Sequence, residues 1–169
     1  MKRRPLLAAA CTALLSACGR KAPPSFASTD ITGVPWGKDF HLTDHRGRPR
    51  TLADFRGKVV MLFFGYTHCP DVCPTSLTNM ARVRKLLGPD GSRVQGLFVT
   101  LDPKRDTPQV LAQYVPAFDP GFLGLYGDKQ ATAAAAADFK VFFAAQKPDE
   151  GGNYTIDHSS GIFVFDPQG

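Results

Sequence analysis

The segment that most constrains the fold is Val59-Val60-Met61-Leu62-Phe63-Phe64, an unbroken apolar run bounded by Gly57 and Gly65. A run this short, rich in β-branched and aromatic side chains, predicts a strand buried on both faces. Such a strand needs a layer of structure above it and another below, which helices can supply. Pro74–Leu87 predicts one helix, with Leu77, Met80, Val83 or the Arg84 stem, and Leu87 on its inner side, stopped by Gly88-Pro89. Val94–Leu101 predicts a second apolar strand. Thr107-Pro108 supplies the cap and first-turn proline of a helix running towards Phe118, and Asp128 can cap an Ala-rich helix over Ala131–Ala137. Shorter strands are expected at Phe40–Thr43, Val141–Phe143 and Ile162–Phe165, and one helical turn at Leu52–Phe55. This alternation gives an α/β sandwich with a largely parallel core.

The N-terminus follows a different logic. Met1-Lys2-Arg3-Arg4 is positively charged, and Leu6–Leu15 is an apolar run shorter than the about 20 residues that span a bilayer. It ends in Leu15-Ser16-Ala17-Cys18, which resembles a bacterial lipobox with Cys18 as the lipidated residue. Residues 1–17 therefore read as a lipoprotein signal peptide and 18–36, with Pro23-Pro24 and several Ser and Thr, as a flexible tether. The folded domain is expected over 37–169. The expected location is the bacterial cell envelope, facing the periplasm and lipid-anchored to a membrane; Gly19 after Cys18 favours the outer membrane.

Charge narrows the partners. The formal net charge is +5, but without Lys2, Arg3 and Arg4 it is +2, from 17 basic against 15 acidic residues. A near-neutral domain with no basic stripe and no zinc-finger spacing makes no case for nucleic-acid binding. Cys11 and Cys18 fall in the leader and at the anchor, leaving Cys69 and Cys73 of the four cysteines. A bond between residues so close would close a tiny loop and stabilise little, so the pair points to chemistry rather than stapling.

That pair lies in Gly65-Tyr66-Thr67-His68-Cys69-Pro70-Asp71-Val72-Cys73-Pro74, where the buried strand ends and a helix begins. Strand ends in α/β sheets are where ligands bind, and a helix N-terminus lowers a thiol's pKa. Four-residue spacing on a helical turn puts both sulfurs on one face. Tyr154-Thr155-Ile156-Asp157-His158-Ser159-Ser160 precedes the Ile162–Phe165 strand, so a loop there can carry His158 to the same sheet end. Two thiolates and an imidazole suit one copper ion: sulfur prefers Cu(I), and imidazole accepts Cu(I) or Cu(II). Structural zinc would want a fourth ligand. His68 beside Cys69 could be a fourth ligand, but neighbouring residues at a turn diverge and it is expected to point to solvent; His41 and His45 are expected to be exposed, and Met61 and Met80 to fill the core. Asp102 and Asp106 could position the site, yet Asp-Pro and Asp-Thr-Pro are also plain turn and cap chemistry, which is the stronger reading.

The cysteine segment, Asp102-Pro103-Lys104-Arg105-Asp106-Thr107-Pro108 and Asp157-His158-Ser159 together resemble the Sco/SenC family in type and order, over roughly Phe40 to Gly169. The resemblance implies a thioredoxin-like sandwich with a central mixed sheet. It also implies a role in assembling the binuclear copper centre of cytochrome c oxidase, with the copper-bearing oxidase subunit or another copper apoprotein as partner. By motif match it places copper ligands on Cys69, Cys73 and His158, with Asp157 supporting the histidine. Members of the family usually continue beyond the position of Gly169 with more strand and a helix, so the C-terminal part reads as truncated. Three functions compete: a copper metallochaperone, which is not a turnover enzyme; a thiol–disulfide oxidoreductase using Cys69 and Cys73 to keep a partner's cysteines reduced; and a thiol peroxidase, disfavoured because no Arg adjoins the cysteines.

Overall fold

The computed structural model describes residues 26–169. The expected leader, Cys18 and the start of the tether lie outside the described residues. Residues 26–33 contain no helix or strand, and the compact unit runs Val34–Gly169.

In chain order its elements are β1 (Leu42–Asp44), β2 (Pro49–Arg50), a 3₁₀ turn (Leu52–Phe55), β3 (Val59–Gly65), α1 (Val72–Leu86) and a 3₁₀ turn (Gly88–Arg93). They continue with β4 (Val94–Thr100), α2 (Pro108–Tyr114), a 3₁₀ turn (Val115–Ala117), β5 (Leu123–Tyr126), α3 (Lys129–Asp138), β6 (Phe143–Ala145), β7 (Ile156–His158) and β8 (Ile162–Phe165). Six strands form one sheet in the order β2-β1-β5-β4-β3-β8. β3, β4 and β5 are parallel; β1 and β8 join them antiparallel. The sheet is therefore mixed, with a parallel centre, and the fold is thioredoxin-like.

β3 and β4 are buried along nearly their whole length because both faces are covered. Val60, Leu62 and Phe64 face a cluster with Leu97, Val99, Phe139 and Ala136, on the side of α3. Met61 and Phe63 alternate to the other face and pack with Leu77, Met80, Phe98, Leu111 and Val115, on the side of α1 and α2. The caps are as the residues suggest: Thr107 Oγ1 accepts from Val110 N–H at 3.3 Å and Asp128 Oδ1 from Ala131 N–H at 2.7 Å.

Several expectations need correction. Val83 and Leu87 are exposed; the inner stripe of α1 is Cys73, Leu77, Met80 and then Arg84, whose guanidinium lies over the Phe122 ring and donates from Nε to Gly91 O. The strand expected at Val141 starts at Phe143, and β5 is a central strand that the residue pattern does not announce. His158 is not in a loop: it ends β7, which pairs antiparallel with β6 in a separate two-stranded ribbon, Phe143 opposite His158. His45 is partly buried rather than free, its Nδ1 accepting from Gly124 N–H at 3.0 Å. No helix among the described residues is long and apolar enough to cross a membrane.

Candidate metal centre

β3 ends at Gly65, and the chain turns through Tyr66–Cys69, with Cys69 N–H donating to Tyr66 O at 3.3 Å. Cys69 lies in this turn, outside the helix, and Cys73 lies in the first turn of α1. The two sulfurs thus do not share a helical face, as the spacing suggested. They meet because the turn folds back over the helix start, where Cys73 N–H points at Cys69 Sγ at 3.5 Å.

The sulfurs are unlike each other. Cys73 is fully buried and Cys69 only partly. Burial pushes the Cys69 thiol up, but backbone N–H groups of Asp71, Cys73 and Val72 outweigh it and hold the group below the ordinary thiol range. For Cys73 burial dominates; Tyr66 N–H offsets it only in part, the neighbouring Cys69 adds to it, and the thiol is pushed far above that range.

The third group is the His158 imidazole. Its Nε2 lies 3.5 Å from Cys73 Sγ and its Nδ1 2.9 Å from Ser159 O. A carbonyl oxygen only accepts, so Nδ1 carries the proton and Nε2 turns its lone pair to the sulfur. The rings of Phe63 and Tyr66 meet the imidazole edgewise at 6.0 and 5.9 Å between centroids, fixing its plane from two sides. Cys69 Sγ, Cys73 Sγ and a His158 nitrogen all fall within 4.8 Å of one another. Among the described residues, no fourth Cys, His, Asp or Glu joins the group. Two sulfurs and one correctly protonated imidazole fit copper, and the set lacks the fourth ligand of a closed structural zinc site.

Other residues take different places. His68 is half exposed and turns to Thr67 Oγ1 (3.1 Å) and Asp106 Oδ1 (3.7 Å), away from the sulfurs. Met61 and Met80 are core residues. Asp157 does not support the imidazole. Its exposed carboxylate accepts from Gln146 Nε2, because neighbours on a strand point to opposite faces, and Ser159 O holds the ring instead.

Asp102 and Asp106 do more than turn and cap. Both are buried. Asp106 accepts from Thr67 N–H at 3.0 Å, Thr67 Oγ1 at 2.6 Å and Thr100 Oγ1 at 2.6 Å. Asp102 accepts from Tyr154 Oη at 2.9 Å and pairs with Arg105 Nε. Arg105 Nη1 donates to Tyr154 O at 2.9 Å, and its guanidinium stacks 3.6 Å from the centroid of the Tyr154 ring. Tyr66 and Arg105 lie inside the motif blocks and Tyr154 in the segment that carries His158, but nothing in their type or spacing announces these contacts.

The SCO1/SenC family profile matches residues 29–169. The chain is 45% identical over 133 residues to the mitochondrial Protein SCO2 homolog of Mus musculus, covering 78% of this chain and 52% of that one. It spans about half the length of the mitochondrial relatives it matches. Among solved structures it is similar to Bradyrhizobium japonicum ScoI with copper bound, at 40% identity and a TM-score of 0.72, covering 78% of this chain and 83% of that one. It is also similar to a SCO1/SenC family lipoprotein from Bacillus anthracis, at 27% identity and a TM-score of 0.65, covering 79% and 80%.

Proposed function

This chain belongs to the SCO1/SenC family, and from that membership we propose that it is a copper metallochaperone. It binds one copper ion, Cu(I) or Cu(II), through Cys69, Cys73 and His158. It passes the ion by ligand exchange to the copper-bearing subunit of cytochrome c oxidase or another copper apoprotein, assisting assembly of the binuclear copper centre. The observation that carries this reading is the imidazole: Nε2, in the tautomer that can ligate, faces Cys73 Sγ at 3.5 Å. A dithiol reductase has no use for a third donor there. The copper-bound state of ScoI, a relative of the same fold, supports the choice of metal.

The test is copper titration of the reduced protein beside His158→Ala. Removing the imidazole should weaken Cu(II) strongly, because Cu(II) favours nitrogen, and Cu(I) less, because the thiolates dominate there. Disulfide exchange by Cys69 and Cys73 should persist. In a strain lacking the wild-type protein, His158→Ala should fail to support oxidase assembly under limiting copper. Full assembly by that variant, with none by Cys69→Ser, would hand the function to the second reading.

That second reading is a thiol–disulfide oxidoreductase keeping a partner's copper-ligand cysteines reduced. It is favoured by the Cys69 thiol, which hydrogen bonds hold below the ordinary thiol range despite burial and which accepts from Cys73 N–H. The two activities are compatible on one pair of sulfurs.

Residues 18–36 serve as a tether, and Cys18 anchors the domain at the periplasmic face of a membrane, with the outer membrane favoured by Gly19. The Bacillus anthracis lipoprotein of the same family supports the anchor. Cys18→Ser should release or mislocalise the protein; unchanged membrane fractionation and lipid labelling would sink the anchor.

A further inference from the structure

The sulfurs and the imidazole come from segments 85 residues apart. The sulfurs hang from the end of β3, inside the six-stranded sheet. The imidazole ends the β6–β7 ribbon, which shares no ladder with that sheet. Backbone pairing therefore does not set the distance between them. The chain from Ser159 to β8 ties down one end of the ribbon, since β8 pairs with β3. Something else must hold the other end.

We propose that the loop Asp102–Asp106, between β4 and α2, is a two-armed bracket that sets the sulfur–imidazole spacing, Asp106 positioning the cysteine turn and Asp102 with Arg105 positioning the histidine ribbon. The first arm acts on Thr67, two residues before Cys69, and on Thr100, the last residue of β4. The second makes its hydrogen bonds to Tyr154, two residues before β7, while the Arg105 guanidinium also lies 5.8 Å from the centroid of the Tyr66 ring. Asp102 takes the Tyr154 hydroxyl, and Arg105 takes its carbonyl and its ring face. None of the hydrogen bonds of one arm reaches the segment held by the other.

The loop is braced so that the arms share a frame. Asp102 N–H donates to Thr100 Oγ1 at 2.9 Å, and Arg105 and Asp106 N–H both donate to Asp102 O, at 3.1 and 2.9 Å. Arg105 suits its place better than lysine would, because a planar fork can stack on a ring while donating to a carbonyl and a carboxylate at once. A buried carboxylate such as Asp106, whose hydrogen bonds all come from Thr67 and Thr100, fixes those donors where a solvated one would not. This inference rests on the copper reading for its purpose but not for its geometry.

The test is a crossed set of variants read first on the metal-free, reduced protein. Arg105→Lys and the milder Tyr154→Phe should increase amide exchange and shift the ring resonances at His158. They should leave Thr67 N–H protected and the alkylation rate of Cys69 within about twofold of the parent. Asp106→Ala should do the reverse, exposing Thr67 N–H and changing Cys69 alkylation about tenfold while His158 stays as it was. Asp106→Asn, whose amide oxygen can still accept from Thr67 N–H, should restore most of the parent behaviour. Should Asp106→Ala not fold, Thr67→Val removes one bond of the same arm and takes its place.

With copper added, the Arg105 variant should lose about tenfold in Cu(II) affinity and little in Cu(I). If every variant moves both ends together, in proportion to its loss of folding stability, the loop is scaffold and the bracket is wrong. Should His158→Ala leave Cu(II) binding unchanged, the copper reading falls, while the exchange and alkylation data still decide the bracket.

Discussion

Gly65→Ala is the most direct probe of how the sulfur is seated. Gly65 has no positive φ, so its glycine is not a backbone requirement. Its reason is space. A Cβ there would lie 2.6 Å from Cys73 Sγ and 3.0 Å from both Phe63 Cε1 and Phe98 Cε2. Ordinary contact begins at about 3.5 Å, so the overlap is roughly 1 Å with the sulfur and roughly half that with each ring. β3 cannot retreat, being paired to β4 and β8 on its two sides, with Gly65 O accepting from Leu101 N–H at 2.7 Å. The side chains must yield. Overpacking of this kind costs about 1–3 kcal/mol, a fall in Tm of roughly 3–12 °C for a domain of this size. The sulfur, as the closest neighbour, should absorb much of the shift and move away from His158. Urea unfolding of four reduced proteins measures this: parent, Gly65→Ala, Cys73→Ala and the double variant. With the sulfur gone only the ring overlaps remain, so the alanine should cost about 1 kcal/mol less in the Cys73→Ala background. An equal penalty in both backgrounds would refute the steric argument, as would undiminished copper affinity in Gly65→Ala.

Three further outcomes follow from the site and its caps. Iodoacetamide should modify Cys69 well before Cys73, with a rate that rises at a pH below the ordinary thiol range, because N–H donors hold Cys69 down despite burial; mass spectrometry showing Cys73 modified first would contradict this. Burial raises Cys73, so its contribution to stability is complete below the ordinary thiol pKa and is lost as pH climbs above it. Reduced parent protein should therefore lose stability in alkali more steeply than Cys73→Ala, as read by urea midpoints across the alkaline range. Asp128→Ala should cost about 0.5–2 kcal/mol by removing the cap on α3, without altering thiol reactivity.

The sequence made some of this legible and hid the rest for identifiable reasons. β3 and β4 stand out because a strand buried on both faces has no polar positions to dilute the signal. β5 is no less central, yet it is Leu123-Gly124-Leu125-Tyr126, four residues with a glycine inside. That glycine sits where Leu111 and Val115 press in from α2 and the following turn, at 3.1 Å from where a Cβ would be. The α1 stripe was ambiguous at its third turn, and Arg84 won because its guanidinium lies over the Phe122 ring while reaching Asp119 and Gly91 O. Cys69, Cys73 and His158 could be picked out as candidate ligands from type and spacing, and the structure brings the three together. Asp157 was misplaced because adjacency in sequence is opposition on a strand. Asp102 and Asp106 were undervalued because Asp-Pro and Asp-Thr-Pro satisfy local turn and cap rules without any tertiary partner; their long-range bonds leave no mark in the pattern.

The unlike sulfurs explain how one site can serve two chemistries. Cys69 is held ready to lose its proton, and Cys73 is held from losing its own. With Nδ1 of His158 protonated against Ser159 O, the Cys73 thiol has two acceptors, Cys69 Sγ and His158 Nε2, so its proton lies inside the three-donor group. A metal ion bound by all three donors must take that proton's place, which makes uptake compete with protonation and strengthens binding as pH rises. The same burial keeps Cys73 silent towards solvent oxidants until Cys69, 3.5 Å from its backbone N–H, has reacted. On the proposed function, metal binding and disulfide exchange would therefore begin alike, at the partly buried Cys69 sulfur. They part at the buried one, which yields its proton either to make room for an ion beside the imidazole or to attack a mixed disulfide. On the proposed function His158 is a ligand in the first outcome and supplies no sulfur to the second, which is why His158→Ala is the variant that distinguishes metal handling from thiol chemistry in a site where the cysteines are common to both.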